Sequence, residues 1–242
     1  MKLKQIIYLL ALSAPLTSYA DSLSLTLGAG IWNETPTGNF QKTIDPVAVD
    51  VENNFFWQEE SQGYFFVTLE HFVPILPNVR LIHTRIDHAG SGNTSFEFDG
   101  QTFSGYIKND ISIETTDLIA YYEVLDNVVS LDLGLNIRNL KAEYNITNGS
   151  TTRDSLDETV PMLYALVGAS PLPDLIISGE LSYIAYDGSS ISDFTAKIAY
   201  TTNFFVGFEA GYRRQNFEFD DVGETNSDLD FAGLFAGAYL KF

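Results

Sequence analysis

The sequence has no cysteine, three histidines, two methionines and two tryptophans in 242 residues, and only 13 basic side chains against 32 acidic ones. Without cysteine there is neither a disulfide scaffold nor thiol chemistry. The scarcity of Lys and Arg, with a formal net charge of −19, excludes the basic footprint of a nucleic-acid binder. No apolar run reaches the ~20 residues that a membrane-spanning helix needs. Yet 45% of the chain is apolar and 14% aromatic, with 18 glycines, which is far too much apolar content for a disordered segment. That apolar material has to be organised in some other way.

At the N-terminus, Lys2 and Lys4 lead into an apolar run from Ile6 to Leu12, followed by Ser18-Tyr19-Ala20. Charge, apolar stretch and small-x-small site occur in the order of a secretory signal peptide. Residues 1–20 are expected to be removed, leaving one domain over 21–242 that is more acidic still, because Lys2 and Lys4 go with the leader.

Beyond the leader the dominant period is two. In Val129 to Arg138, the residues Val129, Leu131, Leu133, Leu135 and Ile137 alternate with Ser130, Asp132, Gly134, Asn136 and Arg138. Ser24 to Trp32 and Ile177 to Ala185 repeat the partition, with aliphatics on one face and small or charged residues on the other. Such a polar face is too charged for a sandwich core. Strands of ~9–11 residues with an apolar outside and a small, polar inside match an up-and-down transmembrane β-barrel.

Ten crossings are expected, near 22–32, 62–73, 79–88, 114–125, 128–142, 158–170, 175–187, 191–201, 204–219 and 229–242, with eight as the alternative count. Pro74 to Asn78, Asp126-Asn127, Pro171 to Asp174 and Thr202-Asn203 read as short periplasmic turns. Segments 33–61 and 89–113 read as long polar outer connections, the second with a small hairpin at Asp99-Gly100. On the lipid face, Tyr122, Tyr200, Phe204 and Phe242 would form one aromatic girdle, with Tyr183 and Tyr212 in the other. The last strand places Ala238, Leu240 and the terminal Phe242 on one face, an ending that resembles the signal read by the barrel assembly machinery.

Several stretches occur together: Leu69-Glu70-His71 with Pro74 and Leu76-Pro77-Asn78; Asp117-Leu118 with Tyr121-Tyr122-Glu123-Val124-Leu125-Asp126-Asn127; Leu131 to Leu135; Pro161-Met162-Leu163-Tyr164; and Gly211-Tyr212-Arg213. Over nearly the whole mature chain they resemble an uncharacterised family of proteobacterial outer-membrane β-barrel proteins without an assigned activity. The chain departs from the family pattern in having Phe72-Val73 where Pro usually follows His71. The resemblance implies the fold and a Gram-negative outer-membrane location, and it supplies no catalytic residue.

By parity, Glu70, Glu123, Asp132, Glu180, Lys197 and Glu209 should point into the lower lumen, with Asp117, Arg138, Asp193 and Arg213 above them. So many carboxylates need either water or basic partners such as Arg80 and Lys197. An envelope structural protein or a narrow, cation-preferring passive pore would each use such a lumen. Acid-rich segments 33–61, including Glu34, and 218–230 suggest an outer rim that attracts divalent cations diffusely beside lipopolysaccharide. No loop has calcium-ligand spacing, and neither a metal site nor a cofactor is expected. The alternatives are an adhesin or receptor acting through these loops, or a rim hydrolase. A hydrolase would need His88 as base, since His71 reads as interfacial, near the periplasmic end on the lipid face, and the facing of His83 is ambiguous.

Overall fold

The computed structural model describes residues 23–242, so the expected signal peptide lies outside the described residues. Among the described residues there are eleven strands: β1 (Ser24–Lys42), β2 (Val49–Asp50), β3 (Glu60–Glu70), β4 (Asn78–Phe98), β5 (Gln101–Asp126), β6 (Val129–Asn148), β7 (Ser150–Leu172), β8 (Leu175–Tyr186), β9 (Ser189–Thr201), β10 (Val206–Val222) and β11 (Thr225–Lys241). Each long strand pairs antiparallel with its chain neighbour, and β11 returns to β1 in a continuous register from Thr26 with Lys241 to Lys42 with Thr225. Ten long strands therefore close a barrel, and β2 is a two-residue bridge onto Asn39 and Phe40. Closure leaves the ring without a free edge in its lower half, which is what a membrane demands of a sheet.

The lower outer surface is an apolar belt. Ile31, Leu135, Leu163, Val167, Phe208 and Leu234 are all exposed on it, and no watery exterior would favour so large a patch. The periplasmic connections are short, as expected. The outer connections are not what the sequence suggested: β4 and β5 run through nearly all of 89–113 and meet at Asp99-Gly100, and β10 and β11 take most of 218–230. Asp99 and Gly100 both have positive φ (54° and 66°), as do Asp187 and Gly188 (49° and 83°). That geometry suits a two-residue hairpin turn on twisted strands.

The strands extend because their upper parts have a core of their own. Above the belt, the inward positions carry Phe98, Phe103, Ile107, Ile111, Leu140, Ile146, Phe217 and Phe231, all buried in one cluster. Each such side chain contributes roughly 1.5–3 kcal/mol when removed from water.

Segment 33–61 is likewise corrected. β1 takes its first ten residues, and residues 43–59 fold down into the barrel mouth, burying Val49, Val51, Phe55 and Trp57. This fold-back fills a gap in the wall, because β3 pairs with β4 only between Leu69 with Val79 and Tyr64 with Thr84. The Asp50 carboxylate accepts the backbone N–H groups of Glu52 and Asn53, at 3.0 and 2.7 Å. Asp45 accepts those of Asp99 and Gly100, at 2.9 and 3.0 Å, fastening the segment to the β4–β5 turn. Asn109 on β5 clamps it from below, accepting the Trp57 indole N–H at 2.6 Å and donating to the Phe55 carbonyl at 3.0 Å. Glycine is required where the segment crosses β4, since a Cβ at Gly90 would overlap the Phe55 carbonyl oxygen.

Candidate functional site

The lumen is organised in three storeys. At the periplasmic end is a vestibule of about 370 Å³ lined by Glu70, Glu123, Asp126, Asp132, Arg80 and Lys241 among others. Glu70 accepts the Tyr121 hydroxyl at 3.2 Å and stands 3.6 Å from the Lys241 ammonium. His71 also lines this vestibule, its Nε2 3.1 Å from the Pro77 carbonyl. It therefore belongs to the lumen mouth and the turn, not to the lipid face where the sequence placed it.

The waist is built from buried ion pairs. Arg80 Nη1 donates to Glu180 at 2.6 Å, Lys197 lies 2.9 Å from Glu180 and 3.3 Å from Glu209, and the Tyr64 hydroxyl donates to Glu209 at 2.8 Å. One layer higher, Arg138 grips both oxygens of Asp117, at 2.7 and 3.0 Å, and reaches Asp193 at 2.6 Å. Arg213 donates to Asp193 at 3.1 and 2.7 Å, and Gln215 adds a third donor at 2.7 Å. Asn136 donates to Asp117 at 2.6 Å. The Arg80 and Arg213 guanidiniums also lie over the Phe66 and Trp32 rings, each at 5.1 Å, which is cation–π distance.

Four basic side chains (Arg80, Arg138, Lys197 and Arg213) thus meet four acids (Asp117, Glu180, Asp193 and Glu209) in a layer of balanced charge. The remaining void there is about 50 Å³, room for a few waters. Asp132 and Glu123 stand below this layer, against the vestibule.

Above the waist the lumen becomes aromatic. His88 is buried, its Nε2 2.6 Å from Glu34 Oε1, with both side chains fully enclosed. The imidazole is stacked between Trp57 and Phe231 with both centroid separations 5.7 Å. Gln62 donates to the same Glu34 oxygen at 3.2 Å. Two sequence readings change here: Glu34 is an inward strand residue and not a loop acid, and His88 lies under the fold-back segment, away from the rim. His83 faces outward against the exposed Phe65 ring, with centroids 5.1 Å apart, and its Nδ1 is 3.0 Å from the Thr116 hydroxyl.

The outer-face residues singled out in the sequence, Tyr122, Tyr183, Tyr200, Phe204, Tyr212 and Phe242, are all exposed, as are Ala238 and Leu240. Tyr122 also donates to the Ile75 carbonyl at 2.9 Å, tying the girdle position to a periplasmic turn. Parity alone missed Tyr64, Gln215 and Glu34. The row Gln62, Tyr64, Phe66, Thr68, Glu70 held the signal for Tyr64, since it continues the inward face from a residue already assigned to it.

Closed antiparallel strands, an apolar belt and a charged interior define a transmembrane β-barrel of the outer-membrane kind. No protein-family model matches the chain, and no curated protein matches it in sequence. Among solved structures, the outer-membrane protease OmpT of Escherichia coli aligns with a TM-score of 0.57 at 9% identity, over 94% of this chain and 99% of that one. The attachment invasion locus protein Ail of Yersinia pestis aligns at 0.40 and 11% identity, over 91% and 99% of the two chains. The outer-membrane protein OprG of Pseudomonas aeruginosa aligns at 0.35 and 10%, over 91% and 96%. The likeness to OmpT is one of fold.

Proposed function

We propose that this chain is an envelope structural barrel of the Gram-negative outer membrane, closed by its own side chains, and not a passive cation pore. One observation carries the reading. The waist pairs each carboxylate with a base, so it offers neither the unpaired carboxylate ring that selects cations nor the open bore that passes them. The cost of burying eight charges is offset there by short, multiply bonded contacts, and opening a path would mean breaking several of them together.

Outer-membrane placement after export by a signal peptide at 1–20 belongs to the same reading, as do assembly through the barrel machinery and contact with lipopolysaccharide and loosely held divalent cations. It is supported by the apolar belt and by the outer-membrane fold. Residues 43–59 bury Val49, Val51, Phe55 and Trp57, so the surface available to a partner is their exposed remainder, Ile44 and Val47 included, with the tight turns and polar strand faces. The test is conductance: purified protein in a planar bilayer should give no unitary steps. Cation-selective steps in the unmodified protein would overturn the proposal.

A further inference from the structure

Among the described residues the barrel wall has two gaps above the belt, and a chain segment fills one of them. Residues 43–59 occupy the gap above β3. The second lies above the short β8–β9 hairpin. The last pair between β7 and β8 is Leu163 with Tyr183, so, among the described residues, 150–162 of β7 pair with no strand on that side. On the other flank, the last pair between β9 and β10 is Glu218 with Ser190, so Phe219 and Val222 stand above the hairpin.

Behind this gap lies a cavity of about 170 Å³, separate from the waist, walled by Phe40, Ile113, Leu140, Leu156, Phe217 and Phe219 among others. Its volume is close to the ~150 Å³ of apolar cavities that stay dry and take up a benzene-sized molecule. Tyr144 lines it, and the Tyr144 hydroxyl is buried without a hydrogen-bond partner among the described residues. A buried, unpaired hydroxyl is costly, and its position marks where a ligand's polar atom would sit.

The surrounding charges narrow the chemistry. Burial, followed by Asp154, Asp99 and Asp45, pushes the Tyr144 phenol well above its ordinary pKa, so it is a donor. Lys42, the nearby base, is already engaged by Asp154 and the Gly223 carbonyl. An anion would therefore meet carboxylates with no free base, and a cation would lose its hydration to an apolar wall.

We propose that this cavity is a binding site for a small uncharged molecule of one ring or a short alkyl chain bearing a single hydrogen-bond acceptor, held by Tyr144 and entering above the β8–β9 hairpin. The ligand stays above the waist, so the site does not depend on whether the lumen conducts.

Fluorine NMR on protein in lipid nanodiscs, with empty nanodiscs as background, tests this with three probes of similar size: 4-fluoroacetophenone, 1-ethyl-4-fluorobenzene and 4-fluorobenzoate. The ketone should bind saturably, the hydrocarbon more weakly, and the benzoate not at all. Tyr144→Phe should weaken the ketone by about tenfold, the size of one buried hydrogen bond, and leave the hydrocarbon unchanged. Ala142→Phe, which fills the cavity, should abolish both. If that variant fails to assemble, the Tyr144→Phe comparison decides alone. The proposal is overturned by absence of saturable ketone binding, by benzoate binding as tightly as ketone, or by a Tyr144→Phe protein that does not discriminate.

Discussion

The lower and upper halves of the barrel are built from the same strands with opposite polarity. Along β5, Leu118, Ala120 and Tyr122 face outward in the belt while Asp117 faces in; higher up, Ile107, Ile111 and Ile113 face inward while Lys108, Asp110 and Glu114 face out. The lower half meets an apolar solvent and keeps its charges inside, where they must be paired. The upper half meets water and follows the ordinary rule, with an apolar interior sealed by a segment of its own chain. One strand can serve both because the pleat sends alternate side chains to opposite faces whichever of the two is apolar.

The largest expected effect lies in the waist. Arg138→Leu leaves Asp117 and Asp193 buried without their shared base and should cost about 3–5 kcal/mol, read as a lower urea midpoint for loss of the heat-modifiable band. A midpoint equal to the parent's would mean that the waist charges are not held in a dry layer. Next, the belt and the upper wall can be set against each other with one substituent. Leu135→Arg, on the lipid face, should cost about 2–4 kcal/mol, whereas Thr37→Arg, outward and opposite Asp230 in the upper wall, should stay within about 0.5 kcal/mol. Equal costs would erase the boundary between the halves.

The smallest effect concerns Asp154, whose carboxyl the hydrogen-bonding Lys42 ammonium holds below the usual carboxylate range. A lowered folded-state pKa stabilises above the unfolded value and is lost as pH falls through the folded one. Asp154→Asn should therefore lower the melting midpoint slightly at neutral pH, with the difference disappearing on acidification below the ordinary carboxylate range. The effect is small because this side chain is half exposed. A difference that persists in strong acid would rule out the ion pair as its cause.

The strand count and the lower inner face were legible because the apolar parity stays constant within the belt. The upper half was not legible, for a specific reason. In β5 the apolar residues move from odd to even positions between Ile113 and Leu118, and in β6 from odd to even between Ile137 and Leu140. A change of parity reads as the end of a strand, although the backbone continues straight through it. The waist residues could be assigned to the lumen by parity, but their partners could not. Arg80 meets Glu180 across the barrel from β4 to β8, and Tyr64 meets Glu209 from β3 to β10. Those pairings follow from the tilt and closure of the ring, not from any local pattern. The seat of Trp57 beside His88 depends on a chain reversal between β1 and β3 that has no period at all.

The two tryptophans of the chain are both buried in the lumen, Trp57 beside His88 in the mouth and Trp32 lower, under the Arg213 guanidinium of the waist. Tryptophan emission from this protein therefore views the mouth through Trp57 and the waist through Trp32. With Trp32 replaced by Phe, a blue shift during refolding would time the seating of residues 43–59 against His88, the ring on which Trp57 stacks.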